Sequence, residues 1–120
     1  MKEHREYPLL YMEIDMIESC LELVIFKVKD TDKARIARRA AQDTVKNYDG
    51  FLSWTAYESC EEKNLFADVV LWRDLKTAKE AAEKVIKDPA FAAIMAEIDG
   101  LVTMSHYKAD RVVEADALAA

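Results

Sequence analysis

Four short segments of the chain are rich in large apolar and β-branched residues, a pattern typical of β-strands. They cover residues 21–29, 51–59, 65–72 and 101–108. The segment at 21–29 is almost continuously hydrophobic, which indicates a strand covered on both faces. A short polar stretch separates the second segment from the third, and it predicts a hairpin loop.

Two longer segments repeat their apolar residues at intervals of three and four, which predicts amphipathic helices. The first predicted helix covers residues 32–48, after the polar N-cap residues 30–32. Gly50 is expected to end it, because glycine adopts the left-handed conformation that satisfies the last carbonyl groups. The second predicted helix covers residues 74–98, and the Asp99-Gly100 pair is expected to end it.

The elements follow one another in the order β-α-β-β-α-β. Inside the second helical segment, Asp88 and Pro89 are expected as the N-cap and first residue of a renewed helical turn. The order is the split arrangement of the ferredoxin-like fold. We therefore predict an α+β fold, in which four antiparallel strands form one sheet and both helices lie on one face of it.

One domain accounts for most of the 120 residues, because a chain of this length has no room for two independent cores. We assign the domain to residues 19–108, with an N-terminal extension at 1–18 and a C-terminal tail at 109–120. Residues 9–14 are hydrophobic enough for an extra strand, whereas the tail is expected to be a short helix or frayed chain. Only two glycines and two prolines occur, which favours long regular elements.

The third predicted strand carries two different rows of side chains, because successive residues of a strand point to opposite faces. One row is purely aliphatic and contains Leu65, Ala67, Val69 and Leu71. The other row contains Phe66, Asp68, Val70 and Trp72. We expect the aliphatic row to meet the helices, which places Asp68 and Trp72 on the face without helices.

The face without helices poses the main energetic problem of the predicted fold. Exposed apolar surface on the order of hundreds of Å², at ~25 cal/mol per Å², costs many kcal/mol. A second copy of the sheet packed on this face removes the cost. We therefore predict a homodimer whose sheets face each other in a barrel-like sandwich and enclose a cavity between them.

Charge and composition exclude several partners. The net charge of −6 resides mainly in residues 1–19 and 109–120, which carry −3 and −2, so that the middle of the chain is nearly neutral. No basic stripe suited to nucleic acid is present, and no apolar run approaches the ~20 residues of a membrane span. A cationic cluster on the first helix is interpreted as its solvated face: Lys33, Arg35, Arg38 and Arg39.

The remaining signals concern location and cysteine chemistry. The charged first residues do not resemble a signal peptide. Cys20 and Cys60 lie far apart without metal-ligand spacing, so we interpret them as inert packing residues of a protein in the reducing cytoplasm.

Three short stretches carry a family resemblance. Residues 50–54 (GFLSW) are similar to the start of the second strand of antibiotic biosynthesis monooxygenase-like domains, 70–78 (VLWRDLKTA) to their third-strand signature, and 89–91 (PAF) to the start of their last helical segment. The resemblance covers about residues 20–108 and implies the fold called the dimeric α/β barrel. That superfamily includes cofactor-independent monooxygenases, haem-degrading enzymes, cyclases and decarboxylases, so the resemblance alone does not select a function.

The haem-degrading branch differs from this chain at the positions that matter for its chemistry. It uses an asparagine in the first strand and a histidine in the last helical segment, and the matching positions here fall near Leu23 and Met95. The resemblance therefore disfavours haem, and we predict no cofactor.

His106 and Asp68 are the candidate catalytic residues. His106 is the only histidine within the predicted domain, and imidazole is the usual general base near neutral pH. Asp68 lies in an otherwise apolar strand, where a carboxylate is costly to bury without a partner. Aromatic and polar residues are expected to line the pocket around them: Trp72, Trp54, Tyr57, Phe66, Phe26, Glu22 and Tyr107.

Alternatives to this assignment stay open. Both residues can have purely structural roles, and the other row of the fourth strand can line the cavity, in which case Tyr107 replaces His106. Glu22, Asp68 and His106 contain suitable ligand types for a metal, but their spacing is unremarkable and we predict no metal site.

The leading functional hypothesis is a monooxygenase-like protein that binds or oxidises a small hydrophobic aromatic, polyketide-like molecule without a cofactor. A phenol-like substrate that loses a proton becomes electron-rich enough to reduce oxygen itself, in an apolar slot with one base and oxyanion-stabilising donors. The alternative is a non-catalytic small-molecule-binding or dimerisation module. A cavity of roughly 300 Å³ or more that contains His106 or Asp68 would favour a ligand.

Overall fold

The computed structural model describes residues 19–116 and shows one four-stranded antiparallel sheet. The strands are β1 (Cys20–Val28), β2 (Phe51–Glu58), β3 (Leu65–Trp72) and β4 (Ile98–Tyr107), and the helices are α1 (Thr31–Val45), α2 (Leu75–Lys87) and α3 (Ala92–Glu97), with a 3₁₀ turn at Pro89–Phe91. The strands lie in the order β2-β3-β1-β4. The predicted ferredoxin-like arrangement is confirmed, and its second helical segment is divided into α2 and α3.

The chain ends are only partly described. The predicted extension at 1–18, with its extra strand at 9–14, lies outside the described residues, as does 117–120. The described part of the tail, 109–116, forms neither helix nor strand. Between residues 19 and 116, no helix combines the length and apolar character needed to cross a membrane.

Aspartates start helices α1 and α2 and the 3₁₀ turn, as the sequence predicts. The carboxylate of Asp30 accepts the backbone N–H three residues later at 2.9 Å, and Asp74 does the same at 2.8 Å. Asp88 caps the 3₁₀ turn by accepting the backbone N–H two residues later at 3.0 Å. Each side chain satisfies a donor that the first turn leaves without an intrahelical partner.

Gly50 occupies a position that only glycine fits. Its φ of +80° is left-handed, and an added Cβ would lie 2.4 Å from Oγ1 of Thr77 at the start of α2. Helix α1 itself ends at Val45, three residues before the predicted end, and a turn leads from there to Gly50. Gly50 therefore sets the close approach between the start of β2 and α2.

The predicted boundary between the last helix and the last strand is wrong by about three residues. Helix α3 ends at Glu97, and β4 begins directly at Ile98 rather than at Leu101. The Asp99-Gly100 pair is not a helix stop, because it lies inside β4 where the pairing with β1 is irregular between Phe26 and Val28. The φ of +142° at Gly100 accommodates this irregularity.

The expected orientation of the sheet is also wrong. The row that meets the helices is the mixed one, in which Phe66, Asp68, Val70 and Trp72 are all buried. Its apolar members join the core formed with helix residues such as Ala34, Ala41 and Ile94. The mixed row can be buried because Arg38 of helix α1 supplies a partner for the carboxylate of Asp68. The rings of Phe66 and Trp72 fill space in the core.

The aliphatic row of β3 lies on the opposite face, together with its neighbours in β1. We call this surface the open face, defined by Leu21, Leu23, Ile25, Leu65, Ala67, Val69 and Leu71, all of which are partly exposed. Tyr57 and Tyr107 flank the open face from β2 and β4, and each is half exposed. The helices among residues 19–116 pack on the other face, so the open face presents a contiguous apolar surface.

Candidate functional site

A cavity of about 420 Å³ lies between the helices and the sheet. Its sheet wall includes Val24, Phe26 and Val70, and its helix wall includes Val85 and Ile94. The cavity therefore lies under the helices of one chain, and the prediction that Asp68 and Trp72 lie on the face without helices is wrong. The reason is the reversed orientation of β3, which turns the mixed row toward the helices.

The cavity opens to solvent beside β4. Four large apolar residues line it and are also exposed, namely Ile86, Met95, Leu101 and Met104. They come from α2, α3 and β4, so the mouth lies where the helices end over the last strand. An apolar mouth of this kind offers a path for a hydrophobic molecule.

Asp68 is held at the sheet wall by an ion pair with Arg38 of α1. The Nη1 atom of Arg38 donates to Oδ1 of Asp68 at 3.0 Å and to the backbone carbonyl of Tyr57 at 3.3 Å. The guanidinium carbon lies 4.1 Å from the ring centroid of Phe66, so the cation also has an aromatic neighbour. Arg38 and Asp68 are 4% and 8% exposed. The pair is thus a buried one.

Burial raises the pKa of Asp68 above its ordinary value, and the charge of Arg38 only partly offsets this effect. The negative charge of Glu22 adds to the increase. A carboxylate with a raised pKa is a stronger base than an ordinary aspartate, which is a property of general bases in active sites.

Glu22 and Trp72 form the second polar pair of the cavity. The indole Nε1 of Trp72 donates to Oε1 of Glu22 at 2.8 Å. Glu22 lies opposite Val70 in the register of β1 and β3, and Asp68 lies two residues along, so the two carboxylates are diagonal neighbours on one face.

Trp54 places an indole N–H donor in the cavity wall. Its Nε1 atom is buried and has no hydrogen-bond partner within the described chain, although the indole is near enough to Asp68 to lower the pKa of that carboxyl. The ring stacks on Phe91 of the 3₁₀ turn, with centroids 6.5 Å apart and planes 13° apart. The indole N–H is thus a candidate donor to a bound molecule.

His106 lies beside the cavity rather than in its wall. It is opposite Glu22 in the register of β4 and β1, and its Nε2 is buried without a hydrogen-bond partner among residues 19–116. Met104, which shares its row of β4 with His106, lines the cavity, whereas Tyr107 of the alternative row does not. Leu101 of the alternative row also lines the cavity, next to the irregular pairing at Phe26.

The structure brings together most of the predicted pocket residues. Lining the cavity are Glu22, Phe26, Trp54, Asp68 and Trp72. Phe66 is buried on the same face but lies under Arg38 instead of in the wall. Tyr57 and Tyr107 flank the open face, so neither of these predicted pocket residues lines this cavity.

Arg38 is the main residue beside the cavity whose position the sequence does not predict. It was expected on the solvated face of α1, but it is buried with Ala34, Ala37, Ala41 and Val45. Its spacing of four and three residues from Ala34 and Ala41 is the signal that places it on the buried stripe.

The three potential metal ligands are not arranged as a metal site. Glu22, Asp68 and His106 share one face of the sheet, but Asp68 is bound to Arg38 and Glu22 to Trp72. Among residues 19–116, no group of three or more His, Cys, Asp or Glu side chains is suited to hold a metal ion.

Comparison with known proteins identifies the fold. No family model matches the chain, and no curated protein matches it by sequence. A single-residue variant of SnoaB, a cofactor-independent oxygenase from Streptomyces nogalater, has a TM-score of 0.66 and 14% identity over 80% of this chain and 97% of that one.

Two further solved structures are similar to the same extent. A candidate antibiotic biosynthesis monooxygenase from Bordetella bronchiseptica has a TM-score of 0.66 and 12% identity, over 80% of this chain and 99% of that one. Another from Caulobacter crescentus has a TM-score of 0.64 and 16% identity, over 84% and 99%. The resemblance predicted from the sequence is confirmed at the level of the fold.

Proposed function

We propose that this protein is a homodimer in which each subunit binds a small hydrophobic aromatic molecule in its cavity and oxidises it with molecular oxygen, without a cofactor. The observation that carries the proposal is the apolar cavity, into which two carboxylates and two indole rings converge. The fold likeness to SnoaB, a cofactor-independent oxygenase, supports the class of reaction.

The size and lining of the cavity suit such a ligand. Small-molecule sites typically have volumes of roughly 300–1,000 Å³ and apolar walls with a few polar groups. The 420 Å³ of this cavity falls in that range, and its only charged lining residues in the described chain are Glu22 and Asp68. A space of this size among residues 19–116 also argues against a module whose own side chains fill its interior.

The proposed reaction begins with loss of a proton from a phenol-like substrate. Asp68 accepts this proton, since its raised pKa makes it more basic than an ordinary aspartate. The N–H of Trp54 donates to the developing oxyanion. His106 is the second candidate base, because it lies opposite Glu22 in the register of β4 and β1, beside the cavity wall.

The substrate anion then supplies all the electrons for the reduction of oxygen. For a ring methylene activated by the phenolate, the balance is R₂CH₂ + O₂ → R₂C=O + H₂O. One oxygen atom forms the new carbonyl group, and the other leaves as water. The four electrons come from the carbon that is oxidised, so no external reductant is consumed.

The homodimer is proposed from the open face. Its row of leucine, isoleucine and valine side chains is contiguous and uncovered by the described helices, and a second copy is the simplest cover of matching chemistry. We also propose a cytoplasmic location, supported by the absence of a disulfide between Cys20 and Cys60.

Binding can be measured directly, because both tryptophans of the chain line the cavity. We expect anthrone, a tricyclic aromatic probe, to quench the intrinsic fluorescence of the wild-type protein. Ala82→Phe should abolish the quenching, because residue 82 lines the cavity and the added ring fills it. Ala93→Phe places the same ring at an exposed position of α3 and should leave the quenching unchanged. Equal quenching of the two variants contradicts binding in this cavity.

Turnover is tested with an oxygen electrode. The wild-type protein with anthrone should consume one O₂ per molecule oxidised, and Asp68→Asn and His106→Ala should lower the rate without loss of quenching. Unchanged turnover in both variants contradicts the assignment of these residues. Quenching without oxygen consumption contradicts the oxygenase and indicates the non-catalytic binding module instead.

A further inference from the structure

The cavity has an unusual distribution of charge for a site that binds organic molecules. Its described lining contains two carboxylates, Glu22 and Asp68, and no lysine, arginine or histidine. The charge of Asp68 is compensated by Arg38 at 3.0 Å. Glu22 has no such partner, because its only hydrogen bond in the described chain is to the neutral indole of Trp72.

Groups around Glu22 do not cancel its charge. His106 lies opposite it on β4, but no hydrogen bond or ion pair joins the two side chains, and His106 is not in the cavity wall. Arg38 is committed to Asp68, to a backbone carbonyl and to the Phe66 ring. The cavity therefore carries one uncompensated negative charge at its polar end.

Hydrogen-bonding capacity at this end is mostly on the acceptor side. Oε1 of Glu22 accepts one hydrogen bond, from Trp72, while Oε2 of Glu22 accepts none from the described chain. Oδ1 of Asp68 accepts one hydrogen bond from Arg38. An ionised carboxylate offers about four lone-pair sites, so several remain for a ligand. The N–H of Trp54 is the one donor available in return.

We propose that Glu22 determines the charge specificity of the cavity, so that it admits aromatic molecules with a neutral hydroxyl group and excludes aromatic carboxylates. This inference rests on the proposed binding function and adds a selection rule to it. A neutral hydroxyl donates a charge-assisted hydrogen bond to Glu22. A carboxylate ligand has no proton to donate and brings a like charge into a low-dielectric space, where repulsion is much stronger than in water.

The test uses three probes with the same ring system and different charge: 2-naphthol, 2-naphthoate and 2-naphthylmethylammonium. Isothermal titration calorimetry at pH 7.5 gives the Kd of each for the wild-type protein. We expect 2-naphthol to bind at least ~30-fold more tightly than 2-naphthoate, a factor in the range expected for like charges in a partly buried site. Tighter binding of 2-naphthylmethylammonium than of 2-naphthol contradicts the proposal that the cavity selects aromatic ligands with a neutral hydroxyl group.

Glu22→Gln isolates the cause of the selection. It removes the charge, keeps the shape and adds an N–H donor, so the preference for 2-naphthol over 2-naphthoate should shrink at least ~10-fold. Glu83→Gln, an identical change at an exposed position of α2, should leave the preference unchanged. An unaltered preference in Glu22→Gln, or wild-type binding of 2-naphthoate as tight as that of 2-naphthol, overturns this inference alone. Failure of all three probes to bind contradicts the proposed binding function as well.

Discussion

The two faces of the sheet differ in what they bury and in how they bury it. The helix-covered face contains the carboxylates and the aromatic side chains of β1 and β3, and these carboxylates have partners: Arg38 for Asp68 and Trp72 for Glu22. The open face has only aliphatic side chains along 21–25 and 65–71, yet no helix of the described chain covers it.

This difference shows that the burial of a row of side chains depends on hydrogen-bond donors and counterions for its polar groups as well as on hydrophobicity. A mixed row is stable under the helices when each polar group finds a donor or counterion and the remaining rings fill the core. An aliphatic row needs only another apolar surface, which a second subunit supplies equally well. The more hydrophobic face is thus the one that the described helices leave uncovered.

The largest expected effect concerns the open face. Ile25 lies at its centre, paired with Ala67 and Thr103, so Ile25→Lys places an unpaired ammonium group in the middle of the proposed interface. We expect the dimer dissociation constant to rise about a thousandfold, since burying such a charge costs several kcal/mol. Analytical ultracentrifugation at micromolar concentration should show a dimer for the wild-type protein and a monomer for the variant.

The matched control is Ala40→Lys, which adds the same charge at an exposed position of α1 and should remain dimeric. A folded wild-type monomer at micromolar concentration, or a dimeric Ile25→Lys variant, contradicts the role of the open face.

The helix-covered face is tested at its ion pair. Arg38→Met leaves the carboxylate of Asp68 buried without a counterion, and removal of one partner from a buried pair typically costs about 3–5 kcal/mol of unfolding free energy. Urea denaturation measures this change. Arg39→Met, at the neighbouring exposed position, should stay within about 0.5 kcal/mol of the wild type.

A double variant separates the lost ion pair from lost packing. Arg38→Met combined with Asp68→Leu removes both charges and should recover most of the stability, because apolar replacement of a whole buried pair is often neutral. A double variant less stable than Arg38→Met would show that the polar pair itself holds this face together.

Strand alternation in the sequence was sufficient to predict which residues share a face. It grouped Asp68 with Phe66 and Trp72, and Glu22 with Phe26, and these residues do lie on one side of the sheet. It could not predict which side meets the helices. That choice depends on Arg38, which is 30 residues from Asp68 along the chain.

The errors at Arg38 and at the start of β4 have a common physical origin. Four cations close together in a helix resemble a solvated surface, and an Asp-Gly pair resembles a helix stop, when each is judged by its local composition. Arg38 is buried because a distant carboxylate compensates it, and Gly100 lies in a strand because β1 tolerates an irregular pairing there. Both outcomes are decided by tertiary contacts.

The two tryptophans distinguish a partnered polar group from an unpartnered one on the helix-covered face. A double-mutant cycle of Trp72→Phe with Glu22→Met should give a coupling free energy of about 1–2 kcal/mol, because the indole N–H of Trp72 donates to the Glu22 carboxylate and methionine does not replace this acceptor. A cycle of Trp54→Phe with the same Glu22 variant should give a coupling free energy near zero, because the indole N–H of Trp54 makes no hydrogen bond to Glu22. Equal coupling in both cycles contradicts the distinction. Chemical denaturation measures each variant.

The smallest expected effect is a pH dependence that reports the burial of Asp68. Its pKa is raised in the folded state, so the folded protein holds the proton more tightly than the unfolded chain does. The stability of the wild type relative to Asp68→Asn should therefore be greatest near or below pH 3.8, the ordinary value, and fall as the pH rises through the folded pKa. The change of this relative stability with pH stays below ~1.4 kcal/mol per pH unit, which is the limit for the uptake of one proton.

Asp74 should show the opposite dependence of stability on pH in the same experiment. Hydrogen bonds from Thr77 lower its pKa, so its stabilising contribution is present above pH 3.8 and is lost as the pH falls through its folded pKa. Denaturation curves of Asp68→Asn and Asp74→Asn at several acidic pH values should thus diverge from the wild type in opposite directions. If the stability of the wild type relative to Asp68→Asn instead rises with pH, the ion pair with Arg38 outweighs burial, and the carboxylate is a weaker base than the proposed reaction requires.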